Sequence, residues 1–305
     1  MSYSLSLSRC SMFVLFLLAG CDKSQPPAES KAPPASSLAA AVQPAKAEGP
    51  VRASGSSALQ PLVNAAKEKF EASHPGSSIE VSAGGSKKGL ADVASGAVQI
   101  GNSDIFAPDD LKTKLVDHKV AVVGFAAMAN KGPFNEKVQA LSMDQMSKVF
   151  QGQIKNWSEI GGTSQPIIVI NRAPASGTRA VFGSIVLGGD KFVESQTEDN
   201  SGALVTKLKQ TKGAISYLAL SFKDPELATL GLKVDGKTVE PTDDNIKAGA
   251  YPIWSYEHMY TSGEASGLAE QFLTYMLAAD FQRSVLPQVK GFVPVIDMKV
   301  QREHD

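Results

Sequence analysis

The chain has 305 residues, of which 43% are hydrophobic and 20% are charged, and its formal net charge is −1. This composition is typical of a soluble globular protein large enough for two lobes, and it lacks the basic excess of a nucleic-acid-binding protein. The two cysteines, Cys10 and Cys21, lie near the N-terminus, so we expect no disulfide framework in the folded part. Four widely spaced histidines lack the spacing of metal ligands, and we predict that they lie on the surface: His74, His118, His258 and His304.

The N-terminus has the pattern of a targeting segment. Residues 12–20 are an apolar run too short to span a bilayer, and they end in the motif Leu18-Ala19-Gly20-Cys21, which resembles a lipobox. We therefore predict a lipoprotein signal peptide over residues 1–20 and a lipid anchor on Cys21. The alternative is an ordinary signal peptide with an incidental cysteine.

Residues 21–50 contain six prolines, many alanines and serines, and few large apolar side chains. Such a segment cannot bury enough surface to fold by itself, so we predict a semi-extended linker between the anchor and a folded part that begins near Val51.

The folded part begins with three predicted strands, over residues 51–53, 79–81 and 98–101, and helices are predicted between them. Each strand ends in a loop of small polar residues: Ser54-Gly55-Ser56-Ser57-Ala58, Gly84-Gly85-Ser86 and Asn102-Ser103-Asp104. In open α/β sheets, ligands bind outside the carboxyl ends of the strands. We therefore expect these loops to contribute to one pocket.

Residues 120–129 form a long apolar run that is suitable for a strand crossing between two lobes, and residues 251–254 are a second plausible crossing. After the first crossing, Ser142 and Gln145 have the spacing of a capping box and predict a helix over residues 143–150. Trp157 is predicted to anchor the core, and residues 234–237 are predicted to form a hairpin turn.

The most informative stretch covers residues 167–187. A short β-branched strand is followed by a loop with Arg172, Ser176, Gly177 and Thr178, and then by apolar residues at helical spacing. Unpaired amides at a helix N-terminus, two hydroxyls and a guanidinium are all donors, so the loop is suited to hold an anion. The alternative is an ordinary helix cap with a surface arginine.

Taken together, the motifs of the folded part resemble those of the substrate-binding proteins of phosphate ABC transporters, which have the type 2 periplasmic-binding-protein fold. The matching motifs occur in the family's order: Gly55-Ser56-Ser57-Ala58-Leu59, Gly84-Gly85-Ser86, Gly101-Asn102-Ser103-Asp104, residues 150–157, Arg172 with Ser176-Gly177-Thr178-Arg179, residues 213–217 and residues 291–295.

The resemblance implies an α/β, two-lobe fold in which two crossing strands form the hinge. Lobe one would comprise residues 51–122 and 252–305, and lobe two residues 123–251. The implied function is high-affinity binding of inorganic phosphate outside the cytoplasmic membrane and delivery to an ABC transporter permease, by an exported, monomeric, membrane-anchored lipoprotein in the periplasm or on the cell surface. The family's phosphate ligands match Ser57, the Ala58 amide, Ser86, Asp104, Arg172, Ser176, the Gly177 amide and Thr178.

Many relatives have an acidic or glycine-containing pair between the arginine and the serine, whereas this chain has Ala173-Pro174-Ala175. The resemblance therefore does not indicate what orients Arg172. Asp104 is informative because a carboxylate repels an anion unless the ligand carries a proton, as phosphate does near neutral pH and sulfate does not. Its alternative role is a helix N-cap near Ala107-Pro108.

Other functions are less compatible with the motifs. An enzyme would use Ser176 as a nucleophile, but no Gly-x-Ser-x-Gly elbow surrounds it, and Gly84-Gly85-Ser86-Lys87-Lys88 has the wrong order for a nucleotide-binding P-loop. We therefore expect a binding protein without enzymatic activity. An extracellular adhesin or signalling protein with the same fold, or a binding protein for another tetrahedral oxyanion, remains the alternative.

Overall fold

The computed structural model describes residues 49–132 and 134–303. The predicted signal peptide, Cys21, most of the predicted linker and His304 lie outside the described residues. Within the described ranges, no helix has both the length and the apolar character needed to cross a membrane.

The strands of the described residues are β1 (Val51–Gly55), β2 (Ile79–Ala83), β3 (Ile100–Ser103), β4 (Leu115–Asn130), β5 (Ala140–Ser142), β6 (Ile168–Val169), β7 (Asn171–Arg172), β8 (Thr197–Glu198), β9 (Ala214–Ala219), β10 (Leu227–Thr229), β11 (Gly231–Val234), β12 (Lys237–Val239), β13 (Trp254–Ser262) and β14 (Phe292–Val293). The α-helices are α1 (Gln60–Ser73), α2 (Ser86–Ala94), α3 (Asp109–Lys112), α4 (Met143–Phe150), α5 (Gly177–Phe182), α6 (Ser201–Gln210), α7 (Asp243–Lys247) and α8 (Gly267–Leu277). Short π-helical turns follow α5 and α8, at Gly183–Leu187 and Phe281–Val285.

The largest sheet has the strand order β2-β1-β3-β13-β4-β9-β6, and β10 and β14 also pair with β4. β1 is parallel to both β2 and β3, with Val51 opposite Ile79 and Gly55 opposite Asn102. The carboxyl ends of these three strands therefore lie at the same edge of the sheet, as the sequence predicted.

β4 changes partners near its middle. Its first half is antiparallel to β13, where Trp254 stands opposite Gly124, and its second half is antiparallel to β9, beginning with Phe125 opposite Ala219. Every residue from 120 to 129 is buried, which explains the long apolar run. The predicted first crossing is therefore a continuous strand that connects two differently paired parts of the sheet.

The second predicted crossing, over residues 251–254, runs beside the first. The Phe125 amide donates to the Ile253 carbonyl oxygen at 2.8 Å, and the buried Tyr251 hydroxyl donates to the Phe125 carbonyl oxygen at 3.0 Å. β13 itself begins only at Trp254, because Pro252 lacks the amide hydrogen that a longer strand would use.

Several local predictions are confirmed. In the predicted capping box, the Ser142 side chain accepts from the Gln145 amide and the Gln145 side chain accepts from the Ser142 amide, and α4 begins directly after Ser142. Asp235 and Gly236 connect β11 to β12 with φ angles of 48° and 76°, as a two-residue hairpin turn requires. Trp157 is fully buried, and its indole N–H donates to the Gly213 carbonyl oxygen at 3.0 Å.

Two predictions need correction. The third strand covers Ile100–Ser103 instead of residues 98–101, because pairing with β1 and β13 extends it through polar residues that carry no strand-like alternation. The prediction that the histidines lie on the surface is wrong for His258, which is completely buried on β13 and pairs with Asp117 at 2.7 Å.

Candidate functional site

Residues from five separate segments of the chain meet at the carboxyl ends of β1, β2 and β3. We call this group the polar cluster; its members are Ser56, Ser57, Ser86, Asp104, Arg172, Ser176, Gly177, Thr178 and Ser201. All of them are buried, although most are polar. Burying polar groups is unfavourable unless each is hydrogen-bonded, so a cluster of this size indicates a functional constraint.

The Asp104 carboxylate joins two parts of the polar cluster. One of its oxygens accepts a hydrogen bond from the Ser56 hydroxyl, and the other accepts one from the Thr178 hydroxyl at 2.8 Å. The Asp104 amide donates to the Ser86 hydroxyl oxygen at 2.9 Å. The alternative role as a helix cap is wrong, because α3 begins at Asp109 with Pro108 as its N-cap.

Arg172 is only 1% exposed, and neutral oxygens accept its hydrogen bonds. Its two terminal nitrogens donate to the hydroxyls of Ser57 and Ser201, each at 3.1 Å. Further bonds go to the carbonyl oxygens of Glu198 at 3.3 Å and Asp199 at 3.2 Å. These contacts fix the plane of the guanidinium, which the resemblance alone did not explain.

The local fold explains how those carbonyls reach Arg172. β7 pairs in parallel with β8, with Arg172 opposite Glu198, so a segment 26 residues further along the chain lies beside it. The prediction that Arg172 lies in a loop is therefore wrong, since it lies in this short strand. The Tyr217 hydroxyl accepts from the Arg172 amide at 3.2 Å, and burial raises the pKa of Tyr217 to about 12, which keeps the hydroxyl protonated.

The charge of Arg172 is not neutralised by direct contact. None of the ion pairs among the described residues involves Arg172. Burial lowers the pKa of Arg172, and the nearby charge of Asp104 opposes that shift. Arginine stays protonated even when its pKa is lowered, so the polar cluster contains a buried cation that an anion would stabilise.

The first turns of three helices border the cluster. Ala58 lies just before α1, and its amide donates to the Ser56 hydroxyl oxygen at 3.0 Å. Ser86 is the first residue of α2, and Ser176 caps α5 by accepting from the Arg179 amide at 3.2 Å. The dipoles of the helices favour negative charge at these N-termini.

The Gly177 loop packs directly against the loop after β2. A Cβ atom on Gly177 would lie 2.7 Å from the Ser86 Cβ and 2.9 Å from the Asp104 Cβ, which is closer than real side chains approach. Nearby, the Lys87 amide donates to the Ala175 carbonyl oxygen at 3.1 Å. These contacts hold the segment around Gly177 against the loop after β2, beside the polar cluster.

Three participants were not predicted from the sequence. Ser56 was considered only as part of a loop, and Ser201 was not assigned to the site, yet their hydroxyls bond to Asp104 and Arg172 respectively. Glu257 on β13 was not considered at all. It is fully buried, and neither of its carboxyl oxygens has a hydrogen-bond partner among the described residues.

Glu257 lies beside Asp104 because β13 and β3 are antiparallel, with His258 opposite Ser103. Burial first, and then the negative charge of Asp104, raise the pKa of Glu257 well above its usual value. Burial and the neighbouring charge therefore favour the neutral, protonated form of Glu257.

The arrangement of the polar cluster is suited to binding a small anion. Within the described residues, the hydroxyls of Ser57, Ser86 and Ser176 bond to the guanidinium, to amides or to another hydroxyl, and not to a histidine that could activate them. No group of three His, Cys, Asp or Glu side chains in the described part of the chain could hold a metal ion. Several hydroxyl donors, one guanidinium and one carboxylate fit a small oxyanion that carries a proton.

Comparison with known proteins identifies the family of this chain. A model of the PBP superfamily domain matches residues 40–280. The phosphate-binding protein PstS of Bacillus subtilis is 48% identical over 262 residues, which cover 85% of each chain. The PstS of Staphylococcus haemolyticus is 26% identical over 219 residues, or 68% of each chain.

Solved structures agree on the two-lobe fold. One from Clostridium perfringens, described as a phosphate ABC transporter substrate-binding protein with bound phosphate, superposes with a TM-score of 0.75 at 27% identity and covers 81% of this chain and 100% of its own. A Vibrio cholerae phosphate transport receptor has a TM-score of 0.64 at 20% identity, with 80% and 99% coverage, and supports the fold alone. The chain therefore belongs to the PBP superfamily and, within it, to the family of the phosphate-binding protein PstS.

Proposed function

We propose that this protein binds inorganic phosphate outside the cytoplasmic membrane and delivers it to the permease of an ABC transporter. The observation that carries the proposal is that a buried Arg172 without a direct ion pair and a buried Asp104 carboxylate lie in one cluster of hydroxyl donors. The cation attracts any oxyanion, whereas the carboxylate is compatible only with a ligand that has a proton to donate. The relatives with this name and the phosphate-bound structure support the same ligand.

The proposed ligand set is Ser57, the Ala58 amide, Ser86, Asp104, Arg172, Ser176, the Gly177 amide and Thr178. Hydroxyl hydrogens rotate freely, so the serines and Thr178 can redirect their hydrogen bonds to a ligand oxygen. Charge-assisted hydrogen bonds contribute roughly 1.5–3 kcal/mol each. A few of them support a dissociation constant on the order of 1 µM or tighter after the cost of ordering.

The proposed lobes are residues 51–122 with 252–305, and residues 123–251, joined where β4 changes partners near Gly124 and where the second crossing passes Pro252. Ser57, Ser86 and Asp104 would belong to the first lobe, and Arg172, Ser176 and Thr178 to the second. Ligand binding between lobes stabilises the closed arrangement by its contacts with both.

For the N-terminus, which lies outside the described residues, we propose a signal peptide over residues 1–20, a lipid on Cys21 and a linker over residues 21–50. The linker would let a monomer reach its permease while it stays tethered to the membrane. We further propose that the protein is not an enzyme.

Calorimetry of purified protein against phosphate, sulfate and molybdate tests the function. We expect phosphate to bind with a dissociation constant on the order of 1 µM or tighter, and sulfate to bind at least about 100-fold more weakly. Tight binding of sulfate or molybdate would identify a different oxyanion-binding protein. Absence of binding to all three would favour an adhesin or signalling role, and turnover of a phosphate ester would indicate an enzyme.

A further inference from the structure

A second carboxyl group lies beside the proposed ligand set. Glu257 is on β13, and the antiparallel register of β13 with β3 brings it next to Asp104. Its side chain is completely buried, and neither of its oxygens accepts a hydrogen bond from a donor among the described residues. A buried polar group without a partner is costly, so an arrangement of this kind points to a functional use.

The elements packed against β13 carry several other ionisable groups: Lys87, Lys88 and Asp92 on α2, Asp117, His118 and Lys119 on β4, and His258 and the tyrosines 256 and 260 on β13 itself. Lys88 pairs with Asp92, and His258 pairs with Asp117. The group that acts electrostatically on Glu257 is Asp104. The two carboxyl groups therefore form a pair.

Two neighbouring buried carboxyl groups cannot both ionise, and their hydrogen bonds decide which one keeps the proton. Asp104 accepts from the hydroxyls of Ser56 and Thr178, which favours its ionised form. Glu257 has no such donor. The proton therefore belongs on Glu257 and the negative charge on Asp104.

We propose that Glu257 is a specificity-determining residue of the anion site: as a neutral acid it offers its proton towards Asp104 and so keeps the negative charge there. A protonated carboxyl group has one O–H donor, and the Asp104 carboxylate is the acceptor beside it. For the identity of the ligand this inference rests on the proposed binding of phosphate. The consequence is that the carboxyl group facing the ligand, Asp104, is the one that bears the negative charge and rejects sulfate.

Infrared difference spectroscopy of the ligand-free protein tests where the proton lies. Wild type should show the carbonyl stretch of a protonated carboxylic acid at pH 7, and Glu257→Gln should lose it. Glu80→Gln, which alters an exposed glutamate on β2, is the matched control and should keep the band. A wild type without the band, or a Glu257→Gln variant that retains it, overturns the proposal.

Selectivity measured by calorimetry at pH 6 tests the consequence. Glu257→Leu removes the donor, so the ratio of phosphate to sulfate affinity should fall at least tenfold, whereas the amide of Glu257→Gln can donate and should restore most of the ratio. An unchanged ratio in Glu257→Leu, or an equal loss in both variants, overturns the role in selectivity. If wild type does not bind phosphate, the proposed function fails, and the infrared result still decides the protonation of Glu257.

Discussion

Gly177 offers a direct test of closure over the polar cluster. In Gly177→Ala the new methyl group would lie 2.7 Å from the Ser86 Cβ, 2.9 Å from the Asp104 Cβ and closer still to the Ser86 hydroxyl. Inserting a methyl group into a tightly packed site costs about 1–3 kcal/mol. If the loops separate in the ligand-free protein, this cost falls on binding alone and weakens phosphate affinity about 5- to 150-fold.

Calorimetry gives the affinity, and thermal unfolding without ligand gives the stability. Gly202→Ala is the matched control: Gly202 also lies in the first turn of a helix, but its Cβ would only contact the Asn200 side chain at 3.5 Å. The control should keep its affinity within about twofold, because an exposed helical alanine is favourable. The closure argument is refuted if Gly177→Ala binds phosphate like wild type, or if ligand-free Gly177→Ala is destabilised by the full 1–3 kcal/mol.

Four further predictions concern charge and anchoring. Arg172→Ala should weaken phosphate binding about 30- to several-thousand-fold without creating a preference for another oxyanion, since removing one partner of a buried charged contact costs roughly 2–5 kcal/mol. A loss of affinity below tenfold in calorimetry would contradict this. Asp104→Asn should raise sulfate affinity relative to phosphate, because an amide can donate to a bare oxygen, and an unchanged ratio would show that Asp104 does not sense the ligand proton. Cys21→Ser should move the protein into the soluble fraction, and retention on membranes at wild-type levels would argue against lipidation. Because the pKa of Glu257 is raised, the folded protein holds a proton that the unfolded chain releases above about pH 4.3. The free energy of unfolding therefore falls as pH rises from there towards the pKa of Glu257 in the folded protein. The loss of stability approaches about 1.4 kcal/mol per pH unit, and Glu257→Gln should remove it. Denaturant titrations at pH 5 and pH 7 measure this; the same pH dependence of stability in wild type and variant would exclude a raised pKa of Glu257 as its cause.

The sequence was most informative where a local signal is sufficient. The capping box at Ser142 and the Asp235-Gly236 turn depend on residues no more than three positions apart, and both are found as predicted. The loops that end β1, β2 and β3 were also placed correctly at one sheet edge, because parallel strands impose that geometry.

The remaining contacts depend on partners that are distant in the chain. Ser57 and Ser201 are 144 residues apart, and nothing in the helix-start pattern of Ser201 indicates a contact with Arg172. Glu257 lies in a strand buried on both sides, and no local pattern marks its acidic side chain as buried. His258, next to it, was predicted to lie on the surface because the histidines lack metal-ligand spacing, but that spacing carries no information about burial.

The charges of the site follow from these distant contacts. A fully buried Arg172 held by neutral oxygens leaves one positive charge available, and Asp104 supplies one negative charge to accept a ligand proton. A second ionised carboxylate at Glu257 would cancel the advantage of the cation, since unit charges a few ångströms apart interact by several kcal/mol in a site of low polarity. Selective capture of a protonated oxyanion therefore requires that one carboxyl group be ionised and that its neighbour be neutral, and the hydroxyls of Ser56 and Thr178 are placed to make that distinction.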